Sequence, residues 1–128
     1  MELAEIYSDA AGETHIRRTV IDFEMRDFAP PSQPLGVSAE MPSSASLFLT
    51  APPGWDENFH QTPRKQLAVL LKGNVRISVS DGESITLEPG ATFLLNDMAS
   101  KGHLTRVQGE QDAAFLFIVL DQDGSQDS

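Results

Sequence analysis

Residues 66–90 read QLAVLLKGNVRISVSDGESITLEPG, and the spacing within this stretch decides the fold class. Gln66 to Leu71 is a nearly continuous apolar run that stops at the turn signal Lys72-Gly73-Asn74. Val75, Ile77 and Val79 then alternate with polar residues, so in an extended chain they share one face. Asp81-Gly82 is a hairpin signal, because Gly adopts the positive φ that tight β-turns require. Ile85 and Leu87 resume the alternation up to a second turn at Pro89-Gly90. A helix would place apolar residues three and four apart, and this stretch does not.

The same grammar extends outward in both directions. Upstream, Ile16 to Phe23 is β-rich, and Ser46 to Thr50 is a short strand halted by Pro52-Pro53-Gly54. Downstream, Thr92 to Leu95 and His103 to Val107 are strands separated by a loop. Ala113 to Leu120 is apolar on both faces, as expected of a strand between layers or at a subunit interface. Phe28 to Ala45 contains Pro30, Pro31, Pro34 and Pro42, which remove ladder donors and make this an extended arm. Short strands, Gly/Pro turns and no convincing helix predict an all-β sandwich or barrel. The 128 residues are divided as one domain over 1–120, with an N-terminal region and Pro-rich arm at 1–45, a barrel core at 46–120 and an acidic flexible tail at 121–128.

Composition removes whole classes of function. Nine Lys and Arg face 19 Asp and Glu, a net charge of −10, so neither nucleic acid nor an anionic membrane is an expected partner. The absence of Cys excludes disulfides, thiolate metal centres and thiol nucleophiles. No apolar run approaches the roughly 18–20 residues of a membrane span. The opening MELAEIYSDA carries neither a basic lead nor an apolar core, so a cytoplasmic protein is expected. No nucleophile elbow, P-loop or dinucleotide fingerprint is present.

The chemistry-bearing residues cluster in Gly54-Trp-Asp-Glu-Asn-Phe-His60-Gln-Thr62-Pro-Arg64-Lys-Gln66, followed after six residues by Gly73. Strand parity turns His60, Thr62 and Gln66 toward the interior beside Ala68 and Leu70 unless Pro63 breaks it, and His103 and Thr105 share a face on a later strand. Buried without partners, each such group costs about 1–3 kcal/mol, so they are expected to line a wet cavity. Arg64 is a candidate clamp for a ligand carboxylate, and Trp55 a candidate lid or rim-packing residue. Arg106 is expected to pair with Asp97 or another nearby acid and to hold the 96–102 loop, and His15 is expected at the surface.

The block around His60 resembles the first motif of the cupin superfamily, in which an HxH pair is followed by Glu and, six residues on, Gly. Pro89-Gly90, Thr92 to Leu95 and Gly102-His103 resemble the second motif. The resemblance runs from Leu47 to Val119. It implies a double-stranded β-helix, or jelly-roll barrel, with an internal pocket, and a homodimer packed through N-terminal strands. It also implies one divalent metal held by three His and one Glu. Here His60 and His103 match His positions, Thr62 stands where the second His belongs, and Gln66 replaces Glu. The candidate metal ligands are therefore His60, Gln66 and His103, a set suited at best to weakly held Zn, Ni, Fe or Mn. Two functions of different class follow as expectations. One is a small polar organic ligand, possibly a carboxylate, bound through Trp55, Thr62, Arg64, Gln66 and Thr105. The other is an enzyme, metal-dependent or working by acid–base catalysis, with His60 and His103 as catalytic groups.

Overall fold

The computed structural model describes residues 1–121 and contains strands but no helix among them, so no helix is long and apolar enough to cross a membrane. The expected acidic tail falls, beyond Asp121, outside the described residues. Eleven strands form in chain order: β1 Glu2–Ser8, β2 Thr14–Val20, β3 Glu24–Arg26, β4 Leu35–Val37, β5 Ser43–Ala51, β6 Gln66–Lys72, β7 Asn74–Val79, β8 Ser84–Leu87, β9 Thr92–Asn96, β10 His103–Gln108 and β11 Ala113–Leu120.

The strands pair into a six-stranded sheet, β2-β1-β9-β6-β11-β5, facing a three-stranded sheet, β10-β7-β8. All pairings are antiparallel except β1 with β9. The smaller sheet gains a fourth segment at one point, where His60 and His103 exchange both backbone hydrogen bonds at 2.9 Å. Counted with that bridge, two four-segment layers emerge: β5-β11-β6-β9, and the His60 segment-β10-β7-β8. Consecutive segments cross between the layers in the double Greek-key order of a jelly roll. β1 and β2 extend the larger sheet, and β3, just before the Pro-rich arm, pairs with β4 inside it as a separate two-stranded sheet.

The interior follows from parity. Val75, Ile77 and Val79 of β7 are fully buried, as their alternation requires, and face Ala68 and Leu70 of β6, Phe93 and Leu95 of β9, and Phe115 of β11. Burying each large apolar side chain contributes roughly 1.5–3 kcal/mol, which is what holds the two layers face to face. β11 runs between β5 and β6, so both of its edges are paired.

β1 gives no clear alternation because Leu3, Ala4, Glu5 and Ile6 are all buried. Glu5 is buried on the side opposite Ile6. Arg17 donates to it through Nε at 3.0 Å and Nη2 at 3.2 Å, Thr19 through Oγ1 at 2.8 Å and Asn96 through Nδ2 at 3.0 Å. The Arg17 guanidinium lies 4.0 Å from the Tyr7 ring centroid. Burial pushes the Glu5 carboxyl up, but the hydrogen bonds from Arg17, Asn96 and Thr19 outweigh it and hold the group below its usual range.

His15 lies at the surface and is ion-paired twice, to Asp9 at 2.8 Å and Asp81 at 2.7 Å, clasping the β1–β2 turn to the β7–β8 turn. Hydrogen bonds from the imidazole to Asp9 and then Asp81 push its pKa above the usual 6.5. A raised folded-state pKa stabilises fully below the unfolded value and less as pH rises through the folded one. The chain should therefore lose stability as pH climbs above about 6.5. Thermal midpoints of the wild type and of His15→Gln across that range should converge at high pH.

Candidate functional site

One end of the barrel encloses a cavity of about 210 Å³. Its walls are apolar, from Leu49 and Ala51 on β5, Phe93 and Leu95 on β9, and Phe115 and Phe117 on β11. Its polar groups come from opposite layers: Thr62 and Gln66 at the start of β6, and His60, His103 and Thr105 at the bridge and along β10. Trp55, half-exposed, lines it from the loop after β5 and meets His60 edge-on, with centroids 5.7 Å apart.

The His60–His103 bridge brings the two imidazoles to 4.8 Å between centroids. Such close approach needs Gly102, at φ +83°. A Cβ there would overlap the His60 carbonyl group and the following amide, so only Gly lets the 58–62 segment seat against β10. Gly102 is held in turn from below: Thr14, fully buried, donates its hydroxyl to the Gly102 carbonyl at 2.7 Å.

Each imidazole is backed by a carboxylate. His103 Nδ1 lies 2.6 Å from Asp97 Oδ2, and both residues are buried. An ionised carboxylate only accepts, so Nδ1 carries the proton and Nε2 keeps its lone pair. Asp97 Oδ1 is buried with no hydrogen-bond partner among the described residues. His60 Nδ1 lies 3.3 Å from Asp56 Oδ2, an oxygen that also accepts the Thr105 amide at 2.8 Å. Asp56 thereby caps the β10 edge where a longer partner strand would otherwise pair, and it orients His60.

The remaining expected site residues separate at Pro63-Arg64, where the chain bends before β6 begins. Thr62 donates its hydroxyl to the Arg64 carbonyl at 2.9 Å. Thr62 and Gln66 stay buried, whereas Arg64 is exposed and does not line the cavity. Strand parity left Arg64 free to point either way across Pro63, and this bend turns it out of the cavity lining. Asp97 likewise pairs with His103 and not with Arg106, because β10 parity turns His103 inward and Arg106 outward. Gln66 is 7% exposed, pairs in the sheet with Leu95 and Val119, and lines the cavity with its side chain. Among the described residues no group of three or more His, Asp or Glu is placed to hold a metal ion.

The jelly-roll order of the two layers, with the histidine bridge at one mouth, decides the fold. It is a jelly-roll barrel. No family model matches the chain, and no curated protein matches it. Solved structures do. A Neisseria meningitidis protein is 18% identical with TM-score 0.43, over 59% of this chain and 72% of the other. The cupin domain of Schizosaccharomyces pombe Cnp3 is 11% identical with TM-score 0.47, over 84% and 73%. A Salmonella typhimurium protein assigned to ethanolamine utilization is 16% identical with TM-score 0.39, over 96% and 98%.

The barrel mouth thus holds two histidines, each beside a carboxylate; the sequence reading passed over Asp56 and assigned Asp97 to Arg106 instead of His103. Asp56 lies four residues before His60, and Asp97 lies in the loop leading back to His103. Carboxylates in the loops leading to these histidines were the available signal.

Proposed function

We propose that this cupin-like protein binds a small organic molecule with an apolar body and a hydrogen-bonding end in the barrel cavity. The observation that carries this reading is the cavity itself, walled by apolar side chains and ending at the polar groups of His60, Thr62, Gln66, His103 and Thr105. The volume, about 210 Å³, equals roughly seven waters at about 30 Å³ each, which sets the size class. With Arg64 outside the lining, no guanidinium faces a ligand carboxylate there.

The ligand contacts proposed are Trp55, Thr62, Gln66 and Thr105, with His60 and His103 as the groups that meet the polar end. The Asp97–His103 pair also supports a second reading, metal-free proton transfer with His103 Nε2 as the base, because a carboxylate on Nδ1 fixes the ring's orientation and tautomer. The donor set does not fit the metal that the family implies: Gln66 is neutral and the Thr62 hydroxyl is already donated. No step is routed through a metal.

Trp55 is the sole tryptophan and lines the cavity, so its emission reports occupancy directly. Four- to six-carbon alcohols, amides, amines and acids, titrated into the whole chain, should include compounds that shift Trp55 emission saturably. His60→Ala should weaken them at least about tenfold, with stability changed by no more than about 1–2 kcal/mol. A flat response across the whole set would refute the reading.

We also propose a homodimer. The outer faces of β5, β11 and β6 carry Phe48, 76% exposed, and Leu71, 46% exposed, beside half-buried Leu116 and Val69, and the one charged side chain of these three strands is Lys72 at the end of β6. In a chain of net charge −10, an apolar face whose strands carry no carboxylate is where two copies meet with least repulsion. Light scattering should return twice the 13.9 kDa chain mass, and Phe48→Glu should return one chain mass. A wild-type monomer at micromolar concentration would sink the idea.

A further inference from the structure

We propose that the barrel cavity selects small organic cations, namely a primary ammonium group on a short apolar body. This rests on the small-molecule reading above and adds the charge class of the ligand.

The first argument is the sign of the site. No Lys or Arg is among the described residues that line the cavity. The ionisable groups at its polar end are His60, His103 and the carboxylates that back them, Asp56 and Asp97. With both rings neutral and both carboxylates ionised, their sum is −2; with both rings protonated it is 0. The site is positive in neither limit. With the rings neutral a cation is attracted and an anion repelled; with the rings protonated the four groups favour neither by net charge.

The second argument is the count of hydrogen-bonding groups. A primary ammonium brings three donors and no acceptor. The polar end offers acceptors that are not already used. His103 presents the Nε2 lone pair, since Nδ1 is committed to Asp97. Gln66 lines the cavity with an amide that offers a carbonyl acceptor beside its NH2 donors, and His60, in the neutral ring with its proton on Nδ1, presents its own Nε2. The Thr62 hydroxyl is already donated to Arg64. A neutral alcohol has one donor and leaves some of these acceptors unsatisfied; a carboxylate has none.

The third argument is the wall. Trp55, Phe93, Phe115 and Phe117 all line the cavity. Aromatic faces attract a cation that has lost its water, and bury the alkyl body as well.

The experiment compares n-butylamine, 1-butanol and butanoate, which share a four-carbon body and differ in charge at neutral pH. Binding to the whole chain is read from Trp55 emission and checked by calorimetry. Salt is held near 0.15 M, where the Debye length of about 8 Å screens attraction to the acidic surface at large. Butylammonium should bind at least about tenfold more tightly than butanol, and butanoate should be the weakest. Asp97→Asn, which removes the charge at constant shape, should lower the amine affinity by about tenfold and leave that of butanol within about threefold. The ligand series on the unmodified chain decides the matter even if that variant does not fold. Butanol or butanoate binding as tightly as the amine would overturn the charge selectivity and leave the small-molecule reading intact. No binding by any of the three would overturn both.

Discussion

Gly102→Ala should be among the most damaging single substitutions in this chain, with an expected loss of about 3–5 kcal/mol. Two costs add. An alanine at φ +83° pays the left-handed penalty of roughly 1–3 kcal/mol. Its Cβ also falls on the His60 carbonyl group and the Gln61 amide, which are backbone and cannot rotate away. The 58–62 segment must then leave β10, breaking the two 2.9 Å bonds that form the bridge. Against a typical total of about 5–15 kcal/mol this is a large fraction. Denaturant unfolding measures it, and nuclear magnetic resonance of the two imidazoles should report their separation. A variant as stable as the wild type, with the ring contact kept, would show that the close approach is not needed.

Phe93→Ala should cost a similar amount, about 3–5 kcal/mol. Phe93 is 2% exposed and is the largest fully buried side chain. Its strand neighbours in register are Ala4 on β1 and Ala68 on β6, so a large ring is flanked by two methyl groups and fills the space both leave. Because the ring also forms part of the cavity wall, its loss should enlarge the cavity and move the preference toward ligands with a bulkier apolar body. Thermal unfolding and a series of lengthened or branched alkyl compounds test the two halves separately. Unchanged stability would contradict the packing argument, and an unchanged size preference would contradict the placement of the wall.

What was legible beforehand had a short-range physical cause. Val75, Ile77 and Val79 announce a half-buried strand because side chains alternate across a pleat, and they are indeed the buried residues of β7. The turns at Gly73, Asp81-Gly82 and Pro89-Gly90 separate strands as their backbone preferences require. The jelly-roll layers were expected from these signs together with the cupin resemblance. β1 was not foreseen, since burial on both faces erases alternation and Glu5 disguises a buried position until Arg17, Thr19 and Asn96 are seen around it. Parity brought His60, Thr62, Gln66, His103 and Thr105 around one cavity but left Arg64 open across Pro63, and a single bend at Pro63-Arg64 turns it out of the lining. The carboxylates Asp56 and Asp97 come from loops, whose paths carry no periodic signal. Asp97 could be assigned to His103 instead of Arg106 only once the chain was seen to turn back on itself.

The position of β11 sets the timetable of folding. It is the last strand in chain order, yet it sits between β5 and β6, two strands formed from residues 43–72. On a ribosome, those two strands emerge well before the one that joins them, and until it arrives each waits with an unpaired edge. Nearly every pairing that completes the larger sheet links distant parts of the sequence, so closure is slow by topology. The vulnerable interval therefore comes during synthesis, when the apolar stretch at Leu47, Phe48 and Leu49 has no neighbour to cover it and association with other nascent chains competes with the arrival of Ala113–Leu120.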